Sequence, residues 1–200
     1  MKNLIIFLFL VGLLGASEEF ESIKKNYFIS YDYEQMGKYS QAIKVLSSLY
    51  LKYPKGYTLN LRFGWLFFLD KKYKNAQKHY NIAILSNPYA LDPRLGLTRV
   101  YLASASYAEA EHVAHELLKI DYYNYYANIY IVQALMGQKK FNIAQKVVSK
   151  MLGIYPTDIN FLELLSVIYK ETKSPYLKKV YEDILILNPH NTLLEKVKFI

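Results

Sequence analysis

The sequence predicts an all-helical solenoid of repeated hairpins, and three observations support that prediction. The first is a small residue that recurs every 34 positions, at Ala42, Ala76, Ala110 and Ala144. The second is a proline 12 residues after three of these alanines, at Pro54, Pro88 and Pro156. The third is that each alanine lies in a run whose apolar residues follow helical spacing. Because a fixed period of this length is typical of a repeat array, we expect stacked helical hairpins.

Five frames cover most of the chain, at 23–56, 57–90, 91–124, 125–158 and 159–191. Repeat positions below are counted from the first residue of each frame. The first helices are predicted at 23–36, 57–70, 91–104, 125–138 and 159–172. The second helices are predicted at 40–53, 74–87, 108–121, 142–155 and 175–188. Residues 192–200 are expected to form a C-terminal capping helix over the exposed end of the array.

Local signals agree with these limits. Asp92 precedes a proline, which predicts a capping carboxylate before a proline at the first helical position. Gly37 and Gly137 lie near the ends of first helices, where a left-handed backbone is easily adopted by glycine. Ser30, Gly64 and similar small residues recur at position eight, which predicts a close approach to the alanine of the paired helix.

The second frame carries a family motif. It has glycine at position 8, tyrosine at 17, alanine at 20 and 27, and proline at 32: Gly64, Tyr73, Ala76, Ala83 and Pro88. This pattern resembles the tetratricopeptide repeat, and the resemblance extends over roughly residues 23–191. It implies a right-handed α-solenoid of about five such repeats. The tryptophan usual at position four is absent, because that position holds Asn26, Asn60, Arg94 and Asn128.

The N-terminal stretch is predicted to be a signal peptide over residues 1–17. A short positive start is followed by an apolar run from Leu4 to Leu14 and by small residues, the order found in secretory leaders. The apolar run is shorter than the roughly 20 residues that span a bilayer. We expect cleavage after Ala16 or Ser17, which leaves a repeat domain over 18–200. The expected location is the periplasm of a bacterial envelope, or outside the cell.

Composition narrows the function. The chain has no cysteine, so neither a disulfide framework nor a thiolate metal site nor a lipid-acceptor cysteine is expected. The net charge is +8, but the lysines are spread over predicted turns and second helices, and only three arginines occur. Specific nucleic-acid binding is therefore not expected. An attraction to an anionic glycan or lipid surface stays open.

The resemblance places a partner-binding groove on the first helices, chiefly at positions two, five, nine, twelve and thirteen. Positions five, nine and twelve share one face because steps of four and three return to the same side of a helix. The candidate groove residues are Tyr27, Tyr31, Leu61, Trp65, Phe68, Leu95, Arg99, Leu102 and Gln133. Large amphipathic aromatic residues often anchor binding surfaces. Tyrosines at positions five and nine of the first frame do not support a carboxylate clamp of the chaperone type.

Evidence for catalysis or metal binding is weak in the sequence. His112 and His115 are spaced so that both could reach one ion, but they fall at outward positions of a predicted second helix. A solvated helix face is the favoured interpretation. The chain contains no nucleophile elbow and no phosphate-binding glycine loop, so neither an enzyme, a cofactor nor a metal is expected.

The function predicted from the sequence is a non-enzymatic scaffold of the bacterial envelope that binds a protein segment in the groove. The alternative is an accessory role in exopolysaccharide export or outer-membrane assembly, with contact to glycan or an anionic surface. It depends on a likeness between the segment 96–111 and repeats of bacterial exopolysaccharide-export proteins. In that case a glycan, and not a peptide, would cover the aromatic groove.

Overall fold

The computed structural model describes the backbone of residues 2–191 and the side chains of residues 18–191. Between residues 2 and 191 the chain forms ten helices and no strand. It divides into two compact units, Met1–Pro88 and Tyr89–Ile200, called the N-terminal and C-terminal units below. The N-terminal unit contains α1 (Lys2–Gln35), α2 (Tyr39–Lys52), α3 (Tyr57–Leu69) and α4 (Tyr73–Ser86). The C-terminal unit contains α5 (Asp92–Ala103), α6 (Tyr107–Ile120), α7 (Tyr125–Gly137), α8 (Phe141–Leu152), α9 (Ile159–Glu171) and α10 (Leu177–Leu187).

The helices confirm the predicted all-α fold of paired helices. Most bounds fall within one residue of the prediction, and α8 and α10 are two to three residues shorter at one end. Sequential helices pack as hairpins, α1 with α2 and α3 with α4 in the first unit, and α5 with α6, α7 with α8 and α9 with α10 in the second. The predicted capping helix at 192–200 lies outside the described residues.

The first helix differs from the prediction at its start. It begins at Lys2 instead of residue 23, so the backbone helix continues through Ala16 and Ser17, where cleavage was predicted. The helix therefore marks no boundary between the predicted leader and the repeats. Among residues 18–191, no helix is long and apolar enough to cross a membrane.

The periodic alanines belong to the buried core of the hairpins. All four are fully buried, as the 34-residue spacing predicts: Ala42, Ala76, Ala110 and Ala144. Gly64 is needed for a related reason, because a Cβ at that position would lie 2.7 Å from the Tyr80 ring of the paired helix. Small residues at these positions let two helix backbones approach, and the apolar side chains around them exclude water.

The turn between the two helices of each hairpin repeats with the same period. One residue per turn has a positive φ of 53° to 69°, namely Gly37, Lys71, Ala105, Lys139 and Lys173. The prediction that Gly37 is left-handed is confirmed. The same prediction for Gly137 is wrong, because Gly137 ends α7 and Lys139 takes the left-handed position. Gly137 is needed instead for space, since a Cβ there would lie 2.5 Å from the Tyr107 ring.

Two helix starts have a side-chain cap. Asn124 and Asp158 cap α7 and α9 by accepting hydrogen bonds from Ala127 N and Phe161 N, at 3.0 and 3.1 Å. The predicted cap at Asp92 is wrong. That residue is already the first residue of α5, and the side chain of the preceding residue, Leu91, provides no cap.

In the second and fourth frames, a buried asparagine at position four joins the preceding turn to the first helix. Asn60 is fully buried, and its Nδ2 donates to the carbonyls of Pro54 and Gly56, both at 2.9 Å. Asn128 is equally buried and donates to the carbonyls of Tyr122 and Asn124, at 3.2 and 2.8 Å. In these two frames, the residue at the position of the usual tryptophan therefore forms hydrogen bonds to the turn.

Candidate functional site

Four of the predicted groove residues meet in one depression of the N-terminal unit. This aromatic depression has a volume of about 310 Å³ and lies between α1 and α3. Its lining residues are Tyr27, Tyr31, Glu34, Thr58, Leu61, Arg62 and Trp65. The helical spacing of positions five and nine brings the aromatic side chains to the same side of both helices. The geometry therefore agrees with the sequence-based choice of Tyr27, Tyr31, Leu61 and Trp65 as neighbours.

A hydrogen-bonded ion pair holds the bottom of the depression. Arg62 is buried, with 7% of its surface exposed, and its Nη1 donates to Glu34 Oε2. Its Nη2 donates to Ser30 Oγ at 3.1 Å. The other Glu34 oxygen accepts from Trp65 Nε1 at 2.5 Å. One carboxylate thus neutralises the guanidinium and fixes the indole, so the depression carries no net charge from this pair.

The two tyrosines of the depression differ in exposure, because Tyr31 is exposed and Tyr27 is half-buried. The Tyr31 ring is 48% exposed, and the Arg62 guanidinium carbon lies 3.8 Å from the centre of that ring. Burial raises the pKa of Tyr27, and the nearby Tyr31 adds to this effect while Arg62 opposes it. Tyr27 therefore stays a neutral phenol at physiological pH. What the depression presents to a ligand is aromatic surface and phenol hydroxyls.

Phe68 does not line the depression. Its ring centre lies 5.8 Å from that of Trp65 and 6.2 Å from that of Tyr73, so it is packed between the tryptophan and the next helix. We expect its contribution to be the positioning of Trp65. Arg62, in contrast, was missed by the sequence analysis. The sequence contains a sign of its role, because Arg62 is the one charged residue of the mostly apolar α3.

The remaining predicted groove residues belong to the C-terminal unit. Leu95, Arg99 and Leu102 lie half-buried on α5. Burial raises the pKa of Tyr130, and the positive charge of Arg99 opposes that rise, so Arg99 lies near the Tyr130 phenol. Gln133 lines a separate small depression of about 180 Å³ between α7 and α9. Glu163 lines the same depression, and its Oε1 accepts from Asn191 Nδ2 at 2.6 Å.

The histidine pair on α6 is exposed, as predicted. His115 Nε2 lies 3.8 Å from Glu111 Oε1, one turn earlier on the same helix. Glu111 also accepts from Lys140 Nζ and Gln138 Nε2, at 2.8 and 2.6 Å. In the part of the chain with described side chains, no three histidine, aspartate or glutamate residues form a cluster suited to a metal ion.

The C-terminal unit contains a groove that the sequence patterns do not predict. A groove of about 980 Å³ lies between the second helices α6 and α8. Lysines at 119, 146 and 150 line it together with His112 and His115. The available signal is the spacing of Lys146 and Lys150, which lie one turn apart on α8.

Comparisons with known proteins address the fold. No family model matches the sequence, and no curated protein matches it. Solved structures do match. A double mutant of MamA from strain RS-1 has a TM-score of 0.75 at 14% identity, over 84% of this chain and 95% of that one. A tetratricopeptide repeat protein from Parabacteroides merdae ATCC 43184 has a TM-score of 0.70 at 15% identity, over 81% of this chain and 62% of that one.

A third structure agrees with these two. A thermophilic tetratricopeptide repeat protein from Thermus thermophilus has a TM-score of 0.64 at 11% identity, over 86% of this chain and 94% of that one. The identities are low, so the likeness concerns the path of the backbone and not the residues of any site. The paired helices, the buried alanines and the period of the turns agree with it. The chain therefore has the tetratricopeptide repeat fold, an α-solenoid of helix-turn-helix repeats.

Proposed function

We propose that the chain is a non-enzymatic scaffold that binds a segment of another protein on its first helices. The observation that supports this proposal is the aromatic depression, where Tyr27, Tyr31 and Trp65 surround one opening beside Leu61. Tyrosine and tryptophan provide large contact areas at low cost in conformational entropy, and they dominate the energy of many interfaces. Proteins with the same fold support an interaction role in general.

The chemistry of the depression favours an apolar or aromatic side chain as its occupant. Glu34 and Arg62 neutralise each other, so a charged ligand group finds no uncompensated partner in this pair. The indole of Trp65 is already fixed by Glu34, and the Tyr31 ring rests on Arg62, so little ordering is needed on binding. We expect the partner to lay an extended segment or one helix across α1 and α3 and to place one such side chain here.

A catalytic role is not part of this proposal. Glu34 is the carboxylate of the depression, and both of its oxygens accept hydrogen bonds from Arg62 and Trp65. We assign Glu34 a structural role, because it neutralises Arg62 and fixes the indole of Trp65.

We further propose that the chain acts in the bacterial envelope after export and loss of its leader. The support is the sequence order of positive start, apolar run and small residues over residues 1–17. The test is the intact mass of the protein purified from a bacterial periplasm. A mass that lacks residues 1–16 or 1–17 is expected, and a full-length mass in the cytoplasmic fraction would contradict export.

The binding proposal is tested with two matched variants of α1. Tyr31→Ala removes the exposed ring of the depression, whereas Phe28→Ala removes a ring that is 60% exposed on the same helix and does not line it. Both proteins are crosslinked in the cells that express the chain and the attached proteins are identified by mass spectrometry. A partner lost with Tyr31→Ala and kept with Phe28→Ala is the expected result.

Two other outcomes would count against the proposal. Equal recovery with both variants would move the interaction away from the aromatic depression. Recovery of glycan in place of protein, with the same dependence on Tyr31, would favour the polymer-associated alternative. The single tryptophan of the chain, Trp65, gives a second measurement, since occupation of the depression should change its fluorescence.

A further inference from the structure

The groove between α6 and α8 combines an apolar floor with positive charge. Its volume is about 980 Å³, and its apolar lining consists of Leu118, Ile131, Ile143 and Val147. Ile143 is 51% exposed, so an apolar side chain of this size faces solvent inside the groove. The groove lies on second helices of the C-terminal unit, whereas the aromatic depression lies on first helices of the N-terminal unit. Each can therefore be tested without the other.

Lys150 is the central charge of the groove. Its Nζ donates to Asn128 Oδ1 at 2.7 Å and lies 4.1 Å from the centre of the Tyr122 ring. Lys150 is half-buried, and this burial lowers the pKa of its ammonium. A lysine ammonium has three donors, and a carboxyl oxygen is a stronger partner for them than an amide or a ring. A bound carboxylate would therefore stabilise Lys150 in its charged form.

The positive charge of the groove is not compensated within the described side chains. Glu116 also lines the groove, but its Oε1 accepts from Lys119 Nζ at 2.6 Å, and this bond lowers the pKa of Glu116. Lys119 and Glu116 thus neutralise each other. Among residues 18–191, neither Lys146 nor Lys150 has a carboxylate within ion-pair distance. Two positive charges on α8 remain.

We propose that this groove binds an acidic, amphipathic segment of a protein partner. Carboxylates of that segment would contact Lys146 and Lys150, and its apolar side chains would cover Ile143 and Val147. Charge complementarity selects an acidic ligand, and the apolar floor selects a segment that also carries apolar side chains. A small inorganic anion would leave the floor exposed to water. A helix with acidic and apolar residues on adjacent faces satisfies both requirements.

The experiment selects peptides of about 12 residues, three helical turns, from a random display library on the full chain. Bound peptides are then measured by fluorescence anisotropy against four variants. Lys146→Gln and Lys150→Gln each remove one charge of the groove, and Ile143→Glu adds a carboxylate to it. Lys178→Gln removes an exposed charge from α10 and is the matched control. Lys146 is exposed and makes no ion pair among residues 18–191, so its substitution leaves the fold intact.

The expected peptides contain glutamate or aspartate together with leucine, isoleucine or phenylalanine at helical spacing. Lys146→Gln and Lys150→Gln should each weaken their binding roughly two- to fivefold, as expected for partly exposed charge pairs. Ile143→Glu should abolish binding, Lys178→Gln should leave it unchanged, and added salt should weaken it. Binding should be unaffected by Tyr31→Ala, which separates this groove from the aromatic depression.

Three results would overturn the proposal. The first is a selection without acidic, amphipathic peptides, or acidic peptides whose binding does not depend on Lys146 and Lys150. The second is binding that Ile143→Glu and Lys178→Gln affect equally. The third is sedimentation with vesicles of phosphatidylglycerol and phosphatidylcholine that depends on Lys146 and Lys150 while no peptide is selected, because it would identify the groove as a membrane contact.

Discussion

His79 Nδ1 lies 2.8 Å from Asn60 Oδ1, and this contact joins α4 to α3. Asn60 uses its Nδ2 for two turn carbonyls, so its Oδ1 acts as the acceptor and His79 donates from a neutral ring. The C-terminal unit repeats the arrangement with a different donor, because Lys150 Nζ donates to Asn128 Oδ1 at 2.7 Å. In both units, a buried asparagine on a first helix thus accepts a hydrogen bond from the second helix of the same hairpin.

The first prediction concerns the dependence of stability on pH. Burial lowers the pKa of His79 from 6.5 to about 4, and the charge of Lys78 adds to this effect. The imidazole lies among the rings of Tyr50, Phe63 and Phe67, with ring centres 5.0 to 5.2 Å away. As the pH falls through 6.5 the unfolded chain binds a proton and the folded chain does not. The free energy of unfolding should therefore decrease between about pH 6.5 and pH 4, by at most about 3 kcal/mol.

The measurement is urea denaturation at pH 7 and at pH 5, followed by circular dichroism. His79→Gln keeps a donor for Asn60 but cannot gain a proton, so its pH dependence should be smaller than that of the native chain. His115→Gln, at an exposed position of α6, is the control and should keep the native dependence. Equal slopes for His79→Gln and the native chain would contradict the assignment to His79.

The second prediction concerns the asparagines at position four. Asn60→Ala removes the donor for the Pro54 and Gly56 carbonyls and leaves His79 without its acceptor. Buried groups that lose their partners cost about 1–3 kcal/mol, so the free energy of unfolding should fall by about 2 kcal/mol. Asn26→Ala is the matched control, because it changes the same repeat position in the first frame. If Asn26→Ala lowered the free energy of unfolding equally, the loss would come from placing alanine at this helix position and not from the hydrogen bonds of Asn60.

The periodic parts of the fold could be predicted from the sequence because each depends on local chemistry. The buried alanine at each 34-residue step and the helix bounds follow from helical spacing and from the need for space between two backbones. The left-handed turn residues were harder to predict. Four of the five are lysine or alanine, which do not favour a positive φ, so only the register of the repeat could have located them.

The candidate sites depended on contacts that local patterns do not contain. Repeat positions brought Tyr27, Tyr31 and Trp65 together correctly in the N-terminal unit. The ion pair of Arg62 with Glu34 joins residues 28 positions apart, and the interaction of a charge with a distant partner has no periodic signal. The groove with Lys150 could not be predicted for a different reason. A lysine on a second helix is usually solvated, so its position alone does not indicate a binding site.

The third prediction concerns the ion pair under the aromatic depression. Glu34→Gln removes the charge that neutralises Arg62, whose side chain is only 6% exposed. Breaking a buried pair on one side leaves an uncompensated charge, so we expect a loss of about 2–4 kcal/mol in the free energy of unfolding. The emission of Trp65 should also change, because its indole donates to the same carboxylate.

Glu21→Gln is the control for this pair. Glu21 and Lys24 form a bridge of 2.8 Å on α1, but their side chains are 59% and 43% exposed. Exposed bridges contribute little, so the change should stay within about 0.5 kcal/mol. Similar losses for Glu34→Gln and Glu21→Gln would show that Arg62 is hydrated in solution.

The fourth prediction concerns the turn between α5 and α6. Ala105 has a φ of 55°, where the Cβ of an L-residue is crowded, and its side chain is exposed. A left-handed residue with a side chain costs roughly 1–2 kcal/mol, part of which is offset by the greater freedom of glycine in the unfolded chain. Ala105→Gly should therefore raise the free energy of unfolding by about 0.5–1 kcal/mol, measured by urea denaturation.

The control is Ala103→Gly, which makes the same change at an exposed residue in the last turn of α5. It should lower the free energy of unfolding by about 0.5 kcal/mol. Changes of the same sign in both variants would mean that the strain at Ala105 is relieved in solution.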